Sequence, residues 1–384
     1  MKLENGKSAV PIPSVGADGE QPIPKNSEIS IAESDLNSNP LEHDFDEMFW
    51  RMQQLDDPAY LHTVSMSELY DTVFQSKPPV IDGLLHAGTY LFAGAPKVGK
   101  SFLMAQLAYH VSTGLPLWDY RVHKGTVLYL ALEDDYRRLQ ERLYRRFGTD
   151  STDNLRFATG AKRLGAGLNE QLQKFVRDHP DTRLIIIDTL QKVRDSGGEK
   201  YSYANDYEVV GRLKQFADSN GICLLLVHHT RKQQADDKFD TISGTNGLLG
   251  AADGAFVLQK KKRTDNTAVL EISGRDQPDQ RLYLARDMER LTWEMERAET
   301  ELWKVTSDPI LTAVATMVNA DKPTWDGTAT DLVDALGLSI KANTLTRRLN
   351  INAGRLLNEY GVRYESSRSH AGRRIRLMLI PLKA

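Results

Sequence analysis

The segment GAPKVGKS, Gly94 to Ser101, has the residue types and spacing to hold a phosphate chain. Its glycines let backbone N–H groups turn inward, Lys100 can reach the β- and γ-phosphates, and the Ser101 hydroxyl can bind Mg²⁺. The helix that opens here adds its positive end to the same anion. The motif requires a strand before it and a helix after it. Both are in place, as TYLFAG (89–94) and SFLMAQLAYHVSTG (101–114). A glycine-rich turn that merely joined strand to helix would not need Lys and Ser at these two positions. Gly94, Ala95, Pro96, Lys97, Val98, Gly99, Lys100, Ser101 and Phe102 are therefore the expected nucleotide-binding residues, with ATP and Mg²⁺ as cofactors.

Hydrolysis at such a loop calls for an acid that holds the metal and a group that activates water. Asp188 closes the apolar run RLIIID, and a carboxylate ending a buried strand is fixed at the rim of the sheet, so it is the expected metal acid beside Ser101. Thr189 follows it, not glutamate, so the base must lie elsewhere. Glu133, at the end of TVLYLALE (126–133), is the expected base, because strand ends on one edge of a parallel sheet converge on the ligand crevice. Asp134 and Asp135 have the chemistry of a cap for the next helix. The stretch LLLVHHTRK ends another apolar run in His228 and His229 and continues directly to Arg231 and Lys232. Adjacent histidines can be metal ligands, a catalytic pair, a nucleotide switch or the polar end of a strand, and spacing alone does not choose. A metal would lack nearby partner ligands.

These residues need a scaffold. TYLFAG, TVLYLALE, RLIIIDTL (183–190) and ICLLLVHH (222–229) alternate with the helical segments SFLMAQLAYHVSTG, RRLQERLYRRF (137–147) and NDYEVVGRLKQFADSNG (205–221). That alternation predicts an α/β fold with a parallel sheet covered on both faces. After Asp253 the strands shorten, to GAFVLQ, AVLEIS, RLYLAR and LTWEME, which read as an antiparallel extension of the same sheet.

At 384 residues the chain can hold one large core and small additions. No apolar run approaches the roughly 18 residues of a membrane span, and the N-terminus lacks the apolar stretch of a secretory signal, so a cytoplasmic protein without membrane contact is expected. Cys223, the one cysteine, lies inside GICLLLV, which excludes a disulfide framework or a cysteine-rich zinc site and suits a small core residue. A net charge of −3 does not point to nucleic acid, but acid is concentrated in residues 1–50 and base beyond residue 307. Nucleic-acid contact would have to be local. Residues 1–45, rich in Pro, Gly, Ser, Asn and acid, form an expected disordered tail. An N-terminal helical or linker segment follows over 46–84; FDEMFWRMQQL, at its start, has Phe45, Met48, Phe49 and Met52 at helical spacing. An ATPase domain over 85–306 and a small domain over 307–384 complete the expected organisation.

FAGAPKVGKS, LYLALEDDYRRLQERL, IIIDTLQKV and LLLVHHTRK resemble, in order and spacing, the motifs of the RepA-type hexameric replicative helicases of plasmids and mobile elements, a branch of the RecA-fold ATPases. The resemblance spans roughly residues 85–290 and neither end of the chain. It implies a RecA-like P-loop core and an ATP-dependent DNA helicase or translocase that forms a ring. In that family's sheet the histidine strand lies between the P-loop strand and the Asp strand, which would put His228 and His229 beside the γ-phosphate. There they would sense its loss and pass the change to the next loop; strand-end structural histidines are the alternative. That loop, TRKQQADDKFDTISGTNGLLGAADG, matches the family's channel-facing segment, so Arg231 and Lys232 would lie nearest single-stranded DNA. A solvated loop with ordinary surface charge is the alternative.

The earlier loop QKVRDSGGEKYSYAND would add Lys192, Arg194 and Lys200 to the same channel. Rings of this kind complete each ATP site with a neighbour's cation. Arg275, in a tight turn after a strand, holds the position where similar proteins carry it; Arg281 and the run Lys260 to Arg263 are competitors. The implied partners are single-stranded DNA, further copies in a homo-hexamer, and a replication initiator or a primase. The rival readings are a RecA-like recombination or DNA-remodelling ATPase, which need not unwind, and a regulatory DNA-binding ATPase.

Beyond residue 307, DPILTAVATMV, TATDLVDALG and KANTLTRRLNINAGRLLNEYG read as three helices, and YESSRSHAGRRIRLMLI as a basic hairpin. The pattern resembles a winged helix. Its second and third helices would form the helix-turn-helix, with Arg347, Arg348 and Arg355 facing DNA and Arg368, Arg373 and Arg374 on the wing. A protein-docking module is the alternative, and the acidic Asp331 and Asp334 do not favour DNA.

Overall fold

The computed structural model describes residues 59, 61, 63–74, 78–194, 203–231, 237–242, 246–262, 264–275, 277–300, 308–369 and 372–380. The disorder expected for 1–45, the helix expected from Phe45 to Met52, and Lys200, Lys232 and Arg263 lie outside these residues, as does the side chain of Arg368. The chain clusters into two units, Met1–Ser65 and Met66–Ala384. Of the first, a few residues up to Ser65 are described, with Leu61 and Val64 exposed.

The second unit is built on nine strands: β1 (Gly88–Gly94), β2 (Thr126–Ala131), β3 (Leu155–Ala158), β4 (Thr182–Asp188), β5 (Cys223–His229), β6 (Gly254–Gln259), β7 (Thr267–Gly274), β8 (Gln277–Arg286) and β9 (Trp293–Thr300). They form one sheet in the order β3-β2-β4-β5-β1-β6-β7-β8-β9. In that order the strands from β3 to β6 pair in parallel and the remaining three antiparallel, giving an α/β core with an antiparallel extension. GAFVLQ, expected to open the antiparallel extension, instead runs parallel to β1. The chain returns through α7 (Asn246–Ala251) to the starting edge before β6, whereas β6 to β9 follow one another through short connections and reverse direction.

Alternation within the strands separates two cores. Leu184 and Ile186 of β4 pack with Phe92, Tyr129, Leu225 and Val227 beneath α2 (Lys100–Thr113) and α3 (Tyr136–Phe147). Ile185 and Ile187 pack with Leu91, Leu224 and Leu226 against α4 (Leu168–Asp178) and α6 (Tyr203–Asn220). Burial on both faces is why these strands read as unbroken apolar runs. Val80, Ile81 and Leu84 join the α2 side, so the core draws on residues before 85. Cys223 is buried there, as its surroundings in the sequence suggest.

The C-terminal part has its own apolar cluster, from Leu311 to Leu377. It comprises α8 (Pro309–Ala315), β10 (Thr324–Thr328), α9 (Ala329–Ala335), α10 (Ala342–Ile351), α11 (Ala353–Tyr360), β11 (Val362–Ser369) and β12 (Gly372–Leu379), with the strands ordered β10-β12-β11. The third expected helix is two, α10 and α11. Asn352 breaks it at φ −101° and ψ 15°, its side chain donating to the Arg348 carbonyl, a local bond that competes with helix continuation. Asp331 closes a capping box with Thr328 at the start of α9, so its charge serves the helix end. A short helix, α1 (Met66–Asp71), also packs here, against α10.

Candidate active site

The phosphate cradle follows from how β1 hands over to α2. α2 starts at Lys100 without a side-chain cap, which leaves its first-turn N–H groups for an anion. Lys97 takes φ 65° and Gly99 φ 112°, so the turn runs through left-handed backbone. Close packing enforces the glycines: a Cβ on Gly94 would lie 2.7 Å from the Leu258 carbonyl oxygen, and one on Gly99 2.9 Å from Trp293 Cζ2. Trp293, fully buried at the start of β9, latches the helix, because its N–H donates to Gln106 Oε1 at 2.8 Å and its carbonyl accepts from Gln106 Nε2 at 2.9 Å. The loop tip, Ala95 to Lys97, is exposed, as is Ser101; Val98 and Lys100 are buried. Phe102 is half-buried between cations, its ring centroid 4.4 Å from the Arg146 guanidinium carbon and 4.3 Å from that of Arg286. Burial and the neighbouring Arg142 and Arg286 push Arg146 down to about 10.

Lys100 Nζ donates to the Gly94 carbonyl at 2.8 Å and to that of Ala95 at 3.2 Å. Burial pushes its ammonium down to about 8, against the pull of Asp188 and Glu133. Phosphate binds the charged form, so a bound nucleotide must raise this pKa. ATP affinity should be full below about pH 8 and fall as the pH rises through it. Calorimetry in buffers of different ionisation heat should show proton uptake on binding near pH 8 that vanishes in Lys100→Met; unchanged uptake in that variant would assign the proton elsewhere.

Strand alternation gathers the acids. β2 and β4 are neighbours, with Ala131 opposite Asp188. Tyr129 and Asp188 belong to the α2 face of their strands, and the Tyr129 hydroxyl donates to Asp188 Oδ2 at 2.9 Å. Asp188 is 6% exposed, and burial raises its pKa although the hydroxyls of Ser101 and Tyr129 donate to it and Lys100 lies near. Ser101 and Asp188 thus supply two hard oxygen donors in contact, the set that Mg²⁺ takes when phosphates complete its shell. Glu133, exposed just beyond β2, accepts from Thr189 Oγ1 at 3.2 Å. Asp135 caps α3, its carboxylate accepting from the Arg138 N–H at 2.9 Å, and Asp134 is tied to Arg142 and Arg138. No role for Tyr129 or Thr189 follows from the sequence alone, although Tyr129 lies two positions before Ala131, the partner of Asp188, and Thr189 adjoins Asp188.

β5 lies between β4 and β1, as the resemblance implies, with His228 opposite Ala93 and His229 opposite Gly94. Both histidines were expected at the γ-phosphate, but consecutive strand residues face opposite ways. His229 continues the row of Leu225 and Val227 on the α2 face, and its Nδ1 lies 3.3 Å from Lys100 Nζ. Burial and Lys100 lower its pKa, and a Lys100 ammonium donating to Nδ1 would leave the proton of the neutral ring on Nε2. His228, 5% exposed, continues the row of Leu224 and Leu226 on the other face, away from the P-loop.

Other expected residues scatter. Arg231 is exposed just past β5, its N–H donating to the Thr241 carbonyl at 2.6 Å, and Lys192 is exposed too. Arg194, expected in a channel, is buried and ion-paired with the fully buried Asp206 of α6; an arginine held this way cannot offer charge to DNA. Arg275 is exposed between β7 and β8, donating from Nη2 to the Gly250 carbonyl at 3.0 Å. Arg281 pairs with Glu271 across the sheet at 3.2 Å, and Lys260 sits over the Trp293 ring at 5.4 Å. In the C-terminal part, Arg347 and Arg373 meet Asp71, Arg348 meets Asp308, Arg374 meets Asp326 and Arg355 meets Glu359.

The family model described as "AAA domain" matches residues 56–235, a span holding the P-loop, Glu133, Asp188 and both histidines. Among solved structures, the ATPase domain of G40P is similar at 14% identity and a TM-score of 0.47, covering 67% of this chain and 99% of that one. A DnaB-like replicative helicase, solved with regard to its interactions with primase, is similar at 15% identity and a TM-score of 0.45, covering 65% of this chain and 71% of that one. No curated protein matches. The AAA-domain match and the geometry of the cradle support a P-loop ATPase core. Among the described residues no helix is long and apolar enough to cross a membrane, and no group of three or more His, Cys, Asp or Glu side chains could hold a metal.

Proposed function

We propose that the chain is an ATP-dependent DNA helicase or translocase that works as a ring, the replicative helicase of a mobile element. The observation that carries this reading is convergence: Lys100, Asp188, Glu133 and His229 come to one edge of the sheet, and the chain runs from His229 straight to the exposed Arg231. Lys100 and the α2 N-terminus hold the phosphates, and Glu133, steadied by Thr189, takes the proton of the attacking water. Ser101 and Asp188 would hold Mg²⁺, with Tyr129 fixing the carboxylate; the ion, when bound, neutralises charge on the phosphates. His229 donates from Nε2 to the γ-phosphate and registers its loss; Arg231, with Lys232, contacts the DNA backbone. Residues 307–384 form a winged-helix-like unit, and a replication initiator or primase loads or uses the ring.

The register of β6 and β7 supports the ring reading through the position of Arg275. Gly274 pairs with Gly254, which is level with Tyr90, whereas the P-loop leaves β1 after Gly94. About 13 Å of strand separates Arg275 from its own P-loop, so a finger role for it would be exercised at another copy's site.

His229→Ala should lower DNA-stimulated turnover by about 10²-fold, the scale of one lost transition-state donor, with ATP binding nearly unchanged. His228→Ala should chiefly lower thermal stability. Equal effects of the two variants on turnover would contradict the sensor role. The function itself is tested by strand displacement from a forked duplex. ATP-driven release supports a helicase, whereas turnover without release would favour the recombination-type ATPase, and sequence-specific footprints without release the regulatory one.

A further inference from the structure

Arg347 and Arg373 already hold an anion, and it is the chain's own. Arg347 Nε lies 3.2 Å and Arg373 Nη1 3.5 Å from Asp71 Oδ1, and Arg373 Nη2 donates to the Asp71 carbonyl at 3.3 Å. One residue back, the Tyr70 carbonyl accepts from Asn350 Nδ2 at 2.9 Å. Asn350 is buried and is fixed in turn by the Tyr364 hydroxyl, which donates to its Oδ1 at 2.8 Å. A helix, α10, and a hairpin strand, β12, thus converge on one carboxylate carried by α1. Arg347 first, then Arg373, holds Asp71 below the usual carboxylate range.

This clamp differs from the other ion pairs of the C-terminal part. Arg348, Arg355 and Arg374 pair with Asp308, Glu359 and Asp326 of the same part, whereas Asp71 lies before the first strand of the ATPase sheet. Two guanidiniums on one carboxylate leave an excess positive charge, and a phosphodiester carries the same single charge and accepts from the same forks. α1 is also lightly held: none of its residues is buried, Met66 and Leu69 are exposed, and the Arg347 and Asp71 side chains are 35% and 36% exposed. Pairs that exposed exchange readily.

We propose that α1 is a displaceable cover on a nucleic-acid phosphate site formed by Arg347 and Arg373, with Asp71 occupying the place of a backbone phosphate. The inference rests on reading residues 307–384 as a DNA-binding unit and adds its regulation: duplex DNA gains the site only when α1 leaves.

The test uses full-length protein and a short labelled duplex, with binding followed by anisotropy. Asp71→Asn should tighten binding by about tenfold, as expected when a competing closed state is removed, and Asp71→Lys by more. Adding Arg347→Ala to either should cancel the gain. Hydrogen exchange at α10 separates uncovering from local unfolding: a gain with α10 protection kept supports the cover, and a gain that survives Arg347→Ala overturns it. If both Asp71 variants bind as the unchanged protein does while Arg347→Ala alone weakens binding, the DNA reading stands and the cover is refuted. If Arg347→Ala changes binding in no background, the DNA reading itself fails and the cover with it.

Discussion

Glu133→Gln is expected to bind ATP as tightly as the unchanged protein and to hydrolyse it about 10²–10⁴-fold more slowly, the range for loss of a positioned general base. Glutamine keeps the shape and can still accept from Thr189, so the cradle formed by Lys100 and the start of α2 is untouched. What disappears is the proposed acceptor of the attacking water's proton. Asp134→Asn is the control. Asp134 is one residue away but tied to Arg142 and Arg138, so its loss should disturb α3 and not the chemistry. Single-turnover hydrolysis with bound nucleotide measured separately decides between them. If Asp134→Asn produced the large loss and Glu133→Gln did not, the base would be misassigned.

Arg275→Ala is expected to have an effect as large or larger, about 10³–10⁵-fold on hydrolysis, where a cation in trans stabilises the transition state. Its own subunit's ATP binding should stay intact, because Arg275 lies at the far end of the sheet from that subunit's P-loop. Mixing gives the sharper result. Arg275→Ala subunits and Lys100→Ala subunits are each nearly inactive alone, yet together they should recover activity wherever an intact P-loop meets an intact finger. Subunit exchange, followed by labels, must accompany the measurement. A mixture that exchanges and stays inactive places the finger elsewhere. Arg281 is the weaker substitute, being paired with Glu271.

The parts of the site that the sequence made legible are those whose chemistry is local. The P-loop carries its phosphate-binding logic within eight residues, and Asp188 and Glu133 stand out because a polar residue ending an apolar run must lie at a sheet edge. The parallel part of the sheet was legible from the rhythm of strand and helix. What depends on contacts between distant segments was not. Arg194 looks like any loop cation until Asp206 of a later helix is seen buried against it. Nothing near Asp71 announces that Arg347 and Arg373, 276 and 302 residues further along the chain, will close on it. The direction of β6 depends on how the segment before it crosses the sheet, not on GAFVLQ. The two histidines are a different case: alternation along LLLVHH already separates their faces, and the distance from His229 to Lys100 gives that alternation its meaning.

ATP turnover at this site should drive separation of DNA strands. The direct measurement follows phosphate release and strand displacement together, on a forked duplex with a single-stranded flank, as salt is varied. Single-stranded DNA should stimulate turnover, the stimulation should fall as salt rises because phosphate contacts release counterions, and displacement should fall with it and vanish in Lys100→Ala. Rapid, DNA-stimulated hydrolysis that separates no strands at any salt would contradict the claim.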